Sequence, residues 1–255
     1  MTSVRTNILI TGASSGLGAG MARIFAANGH NLALTARRVD RLEALKIELT
    51  AANPTVRVVT HELDVNDHDR VFDVFATCNQ ELAGLDRVVV NAGLGKGARV
   101  GSGKFYANKE TALTNFVGAL AQCEAAMEHF YDRGRGHLVV MSSISAMRGM
   151  PGAMTSYAAT KAGVAALAEG IRSDLQRRKE HDILVTTLFP GYIASEMNER
   201  VAHKVKFMVD TETGCKALVA AIDREPTTAK VPAWPWVPIG FLMRHAPLPI
   251  VRKLM

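Results

Sequence analysis

The 255-residue sequence predicts an α/β fold, a single domain over residues 1–255 built as a doubly wound parallel sheet with helices on both faces. Three observations predict it. Short apolar runs alternate with amphipathic helical patterns along the chain, no linker rich in Pro, Ser or charge separates them, and the first apolar run passes through a glycine turn straight into a helix. Hydrophobic residues make up 48% of the chain, enough for one sizeable core, and there is no internal repeat or low-complexity block. Right-handed crossovers then put any ligand at the carboxyl ends of the strands.

The first strand is the apolar run Asn7-Ile8-Leu9-Ile10, and it leads into Thr11-Gly12-Ala13-Ser14-Ser15-Gly16-Leu17-Gly18. A helix follows, with Met21, Ile24 and Phe25 on one face. Strand, glycine turn and helix in that order suit a dinucleotide, because glycines let the backbone approach a pyrophosphate seated on the positive helix N-terminus. The spacing Gly-x-x-x-Gly-x-Gly differs from Gly-x-Gly-x-x-Gly, so the physical context carries the reading rather than the string.

The second strand, Asn31 to Thr35, runs into Ala36-Arg37-Arg38. An NAD site wants a carboxylate here for the ribose 2′-hydroxyl, whereas a 2′-phosphate wants arginine. Arg37 and Arg38 therefore favour NADP(H) over NAD(H). Asp40 lies within counting error of the NAD position but precedes the amphipathic pattern Leu42, Leu45, Leu49, where an acid early in a helix is favoured by the dipole. Further strands are expected at Val56–Val59, Val88–Val90 and Val185–Phe189, the last ending in Pro190-Gly191.

Ser156-Tyr157-Ala158-Ala159-Thr160-Lys161 opens a long helical pattern, with Tyr157 fourteen residues after Ser143. A spacing of four puts Tyr157 and Lys161 on one helix face. A cation roughly 4 Å from a phenol is worth about 4 kcal/mol at an effective dielectric near 20, or roughly three pKa units before any desolvation cost. The expectation is a lowered Tyr157 phenol that can exchange protons near neutral pH.

Together these residues resemble the short-chain dehydrogenase/reductase family in its classical form, over roughly residues 7 to 195. The resemblance implies a Rossmann-like fold with coenzyme contacts from Gly12, Ser14, Ser15, Gly16, Leu17 and Gly18, and with Asp64-Val65 at the adenine. It implies that Asn91-Ala92-Gly93 packs beside the adenine-side ribose, and that Pro190, Gly191 and Ile193 lie at the nicotinamide, Ile193 at its carboxamide. It also implies a catalytic set of Asn115, Ser143, Tyr157 and Lys161. Ser143 would hydrogen-bond the substrate oxygen, Tyr157 would protonate it, Lys161 would support the phenolate and bind the nicotinamide ribose, and Asn115 would hold a water. The activity implied is NADP(H)-dependent interconversion of a carbonyl and an alcohol. A coenzyme-binding regulator or scaffold without turnover is the competing class. Two departures stand out. The interval from Ser143 to Tyr157 is one residue longer than in many members, which keeps Ser145 in view for the serine role. The chain's end also lacks a glycine-rich segment found in many bacterial acyl reductases of the family.

Cys78, Cys123 and Cys215 are scattered and odd in number, and no His or Cys spacing suggests a metal site. With no apolar N-terminal stretch long enough for a signal peptide, a cytoplasmic protein is expected. The formal charge of +6 is spread over dispersed residues, among them Arg133, Arg135, Arg172, Arg177, Arg178 and Lys179, which argues against nucleic acid. Residues 191–210 are long enough to form a substrate lid, and Met197, Val201, Val205, Phe207 and Met208 suggest a lipophilic substrate. The tail, 231–255, holds five of the nine prolines, both tryptophans and no acidic residue. Its prolines exclude a continuous membrane-spanning helix. It is expected to fold over the substrate mouth or join subunits of a homo-oligomer, with a peripheral membrane contact through Trp, Phe, Arg244, Arg252 and Lys253 as the alternative.

Overall fold

The computed structural model describes residues 5–177, 181–196 and 207–254. Seven parallel strands, β1 Asn7–Thr11, β2 Asn31–Ala36, β3 Val58–Glu62, β4 Arg87–Val90, β5 Arg135–Met141, β6 Asp182–Pro190 and β7 Thr228–Val231, form one sheet in the order β3-β2-β1-β4-β5-β6-β7. The order reverses between β1 and β4. That switch point opens a crevice at the carboxyl ends of the strands.

Because side chains alternate across a strand, Ile8 and Ile10 pack on one face while Leu9 packs on the other. The first face is covered by α1 Gly16–Ala27, α2 Val39–Ala52 and α7 Thr211–Asp223, with Met21, Phe25, Leu42, Leu45, Leu49, Leu218 and Ile222 buried against the sheet. The second is covered by α3 His68–Glu81, α5 Gly118–Arg133 and α6 Met154–Leu175, which contribute Val71, Phe75, Phe130 and Val164. Helix α2 starts at Val39, so Asp40 stands in its first turn, where the dipole favours it. The third strand begins two residues later than the apolar run suggests and continues through Thr60-His61-Glu62, because pairing with Leu32–Ala36 of β2 fixes its extent.

At the opposite end of the sheet, buried Arg87 donates from Nε to Nδ1 of buried His137 at 2.9 Å and pairs with Asp223 and Glu225. Burial first, and then the charges of Arg87 and Arg5, push the His137 pKa well below its ordinary value. The neutral ring fits its partners: Nδ1 accepts from Arg87 while Nε2 donates to Thr186 Oγ1 at 2.9 Å. This network ties the amino end of β4 to β5 and to the middle of β6, and lies away from the carboxyl ends of β1 and β4.

A third, smaller cluster is made by the tail. Helix α8 Ala233–His245 and helix α9 Leu248–Leu254 bury Trp236, Met243 and Val251 against Ile144, Met150 and Ala158. Among the described residues no helix is long and apolar enough to cross a membrane.

Candidate active site

The turn after β1 is shaped by close backbone approach. Gly12 has φ +66, a left-handed conformation that costs a side-chain-bearing residue, and a Cβ there would meet Ala92 Cα at 2.9 Å. Ser15 precedes α1 in an extended conformation without capping α1 through its side chain. The first N–H groups of α1, Gly16 to Gly18, thus lack a side-chain acceptor from the cap position, as an anion site requires. Asn91, just past β4, donates from Nδ2 to Thr11 O at 2.8 Å, while Thr11 Oγ1 accepts from the N–H groups of Asn91 and Ala92 at 3.0 Å. These bonds lock the ends of β1 and β4 together on either side of the switch point.

Arg38 reaches back to this turn. Its Nε donates to Ser14 Oγ at 3.2 Å and its Nη2 to Ser15 Oγ at 2.5 Å. Arg37 is exposed and makes no hydrogen bond or ion pair with a described residue. The structure thus brings one arginine of the pair to the turn. Asp64 accepts from the backbone and side-chain amides of Asn66, both at 3.0 Å, which shapes the turn after β3, and Val65 is buried against Gly118.

Asn115 lies in a π turn, Leu113–Val117, between α4 Phe105–Ala112 and α5. Such single-turn π segments re-aim a side chain within an otherwise α-helical run. Asn115 Oδ1 accepts from Leu94 N at 2.6 Å and Nδ2 donates to Leu94 O at 2.8 Å, fixing the segment after Gly93. A Cβ on Gly93 would lie 3.2 Å from Asn115 Oδ1 and 3.6 Å from Lys161 Nζ.

Ser143 stands just past β5, and Tyr157 and Lys161 stand one turn apart on α6. Ser145 donates to Ser143 Oγ from its backbone N at 3.2 Å and from its own Oγ at 3.0 Å, while Ser143 hydrogen-bonds the Tyr157 phenol. Ser143 is therefore the serine that meets the tyrosine, and Ser145 is the residue that holds it. Buried Lys161 donates from Nζ to Met141 O at 2.7 Å and stands 5.9 Å from the Tyr157 ring centroid. Burial pushes its pKa down to about 8.

The expected lowering of the Tyr157 phenol by Lys161 is overturned. Burial raises the phenol, the Ser143 hydrogen bond pulls it partly back, and neighbouring Tyr192 pushes it up again. Lys161 spends a donor on the Met141 carbonyl, and desolvation outweighs any Coulombic help it gives the phenolate.

Gly191, after β6, donates its N–H to Val231 O at 2.8 Å, and a Cβ on it would collide with the Trp236 ring. The Ile193 side chain is buried against Gly214 of α7, so any contact it makes with a carboxamide comes through its backbone. Tyr192 meets Trp236 edge to face, with ring centroids 5.4 Å apart. The tail's inner face thus packs on the segments that follow β5 and β6. Its outer face leaves Trp234, Val237 and Phe241 exposed. Of the expected lid, Met197, Val201 and Val205 lie outside the described residues, as do Arg178 and Lys179; Phe207 is exposed.

Two residues at the turn escaped sequence reasoning, Arg41 and Glu196, whereas Ser145, weighed for the serine role, holds Ser143 instead. Arg41 follows Arg38 by three, a spacing that places both near one helix face and could have flagged it. Nothing local points to Glu196, whose carboxylate pairs with Arg38 at 3.0 Å and with Arg41. Among the described residues no three His, Cys, Asp or Glu side chains gather as metal ligands.

The family model for short chain dehydrogenase matches residues 6–206. An uncharacterized oxidoreductase of Mycobacterium tuberculosis is 55% identical over 249 residues, covering 98% of this chain and 97% of that protein. A solved short-chain dehydrogenase from Sphingobium yanoikuyae in complex with NADPH superimposes with TM-score 0.78 at 26% identity, over 88% of this chain and 87% of its own. One from Burkholderia phymatum in complex with NAD has TM-score 0.80 at 19% identity, over 90% of each chain, and shows the shared fold. With the crevice, the glycine turn and the Ser143–Tyr157–Lys161 arrangement in place, these likenesses identify the chain as an oxidoreductase of the short-chain dehydrogenase/reductase family.

Proposed function

We propose that the protein is an NADP(H)-dependent oxidoreductase interconverting a ketone or aldehyde with an alcohol on a lipophilic substrate. The single observation that carries the reading is the Tyr157 phenol, hydrogen-bonded to Ser143 with Lys161 one helical turn away, at the carboxyl ends of β5 and β6. A nicotinamide coenzyme fits the residues present. Gly12 to Gly18 form the turn at the start of α1 whose backbone N–H groups would receive a pyrophosphate, Arg38 offers a cation for a 2′-phosphate, and Asp64-Val65 and Asn91-Ala92-Gly93 border the adenosine side. Pro190, Gly191 and Ile193 border the nicotinamide side. The relative from Sphingobium yanoikuyae, solved with NADPH, supports the phosphate-bearing form. When bound, the coenzyme supplies or accepts the hydride.

The chain's own residues do the rest. Ser143 Oγ, held by Ser145, orients the substrate oxygen. The half-buried phenol of Tyr157, raised by the desolvation around it, stays protonated at neutral pH, as an acid that delivers its proton to that oxygen must. With a pKa of about 8, Lys161 remains mostly cationic at pH 7 and can replenish the proton and bind ribose hydroxyls. Asn115 Oδ1 keeps one lone pair beyond the Leu94 N–H and can hold a water on the path from Lys161 to solvent. Trp236, Tyr192 and the methionines Met147, Met150, Met154 and Met243 make an adaptable apolar cluster on the tail's side, which supports a lipophilic substrate. The three cysteines are free and buried, and burial pushes Cys78 and Cys123 up to about 12 and Cys215 up to about 11, so none is a reactive thiolate at neutral pH. Exposed Phe105, Tyr106 and Phe116 suit a homo-oligomer face.

The test is NADPH oxidation against a panel of ketones and aldehydes, with Tyr157→Phe beside the parent. Turnover on at least one carbonyl that drops ~10²-fold or more in the variant, with NADPH still bound, is expected. NADPH binding without turnover on any carbonyl would place the protein among non-catalytic coenzyme binders.

A further inference from the structure

The Glu196 carboxylate sits where an incoming anion would be expected. Its two oxygens are shared between Arg38, at 3.0 Å from Oε2, and Arg41, and Ser15 hydrogen-bonds it as well. Arg38 in turn holds Ser14 and Ser15 at the lip of the glycine turn. Two guanidinium groups and a serine hydroxyl, arranged around a negatively charged group, are the donor types that a phosphate monoester recruits. The chain's own carboxylate therefore stands in for one.

We infer that Glu196 is a determinant of coenzyme choice, occupying the Arg38–Arg41–Ser15 donors that receive the coenzyme's 2′-phosphate and so weakening the preference for phosphate-bearing coenzyme. The inference rests on the reading in which Arg38 meets that phosphate. The physical argument is one of exchange. Arg38, Arg41 and Glu196 side chains are each between 41% and 46% exposed, so solvent is available to the displaced carboxylate and the ion pairs are of the weak surface kind. A phosphate carries close to two charges and three acceptor oxygens, so it wins the guanidinium groups, but the lost carboxylate pairing is subtracted from its affinity. A coenzyme with a free 2′-hydroxyl does not need both arginines and leaves the pairing in place. Selectivity is the difference between the two affinities, and Glu196 subtracts from one of them.

The experiment is a binding measurement on the intact chain without substrate, by calorimetry, using NADPH, NADH, 2′,5′-ADP and 5′-AMP as probes. Glu196→Gln keeps the shape and removes the charge, and Glu196→Ala removes the group. Both lie on partly exposed surface, and a thermal melt confirms that each variant is folded. Both variants should bind NADPH and 2′,5′-ADP about fivefold tighter, the weight of a surface ion pair near 1 kcal/mol, with NADH and 5′-AMP unchanged. Unchanged or weakened binding of 2′,5′-ADP in both variants overturns the inference, weakening being the mark of a carboxylate that clasps bound coenzyme. Arg38→Gln separates the two levels. If it abolishes a preference for NADPH that Glu196→Gln leaves untouched, the role of Glu196 fails alone. If the parent shows no preference and Arg38→Gln changes nothing, the coenzyme reading and the inference fail together.

Discussion

Replacing Lys161 by methionine removes a buried charge while keeping an unbranched side chain, and the structure gives the energetic consequence. Lys161 is 7% exposed, and burial moves its pKa from 10.5 to about 8. At 1.36 kcal/mol per unit, holding the ammonium in the folded chain at pH 7 costs roughly 3 kcal/mol relative to the unfolded chain. The sign follows from proton counts. Between about 8 and 10.5 the unfolded chain holds the proton that the folded chain has released, so stability rises with pH; below about 8 both hold it and the penalty is fully present. Lys161→Met never pays that penalty, though it also loses the hydrogen bond to Met141 O, an effect of about 1–3 kcal/mol that does not vary with pH. The difference in unfolding free energy between parent and variant, measured by urea titration of the coenzyme-free proteins at several pH values, should therefore shift toward the parent by roughly 3 kcal/mol between pH 7 and 10.5. Other titrating groups largely cancel in that difference, and Tyr157, whose pKa is raised by burial, stays protonated through most of the window. Turnover should be lost in the variant at every pH. A difference that is flat across the window would mean that Lys161 titrates as a solvated amine, and the buried ammonium behind Tyr157 would have to be abandoned.

Three further outcomes follow from the geometry. Arg38→Gln should weaken NADPH binding by ~10-fold or more, the weight of one charge-assisted hydrogen bond, while Arg37→Gln leaves it nearly unchanged and neither alters NADH; a reversed pattern in direct binding titrations would move the phosphate contact to Arg37. Deleting residues 240–255 removes Met243 and Val251 from the cluster that backs Ile144 and Ala158, so it should lower activity and solubility, read by turnover and light scattering. The full chain should stay in the supernatant with anionic vesicles, and salt-sensitive sedimentation through the exposed Trp234 and Phe241 would show instead a membrane-facing tail.

The elements of this chain are written locally, which is why they could be read from the sequence. Alternating apolar runs gave the strands, the glycine turn gave the start of α1, the spacing of Leu42, Leu45 and Leu49 gave the buried face of α2, and the spacing of four put Tyr157 and Lys161 on one helix face. Each depends on neighbours within a few residues, where backbone geometry alone sets which side chains share a face. Tertiary structure decided the chemistry those side chains can do. The phenol is raised rather than lowered because desolvation depends on everything packed around it, and the Lys161 ammonium turns to a carbonyl twenty residues away in sequence. Which arginine reaches the turn depends on how the end of β2 is oriented after folding, and the charge that meets Arg38 comes from Glu196, 158 residues further on. The π turn that aims Asn115 and the two-faced tail are likewise set by packing against distant elements. Electrostatic environment is a sum over partners that only the folded chain brings together, and no local pattern in the sequence encodes that sum.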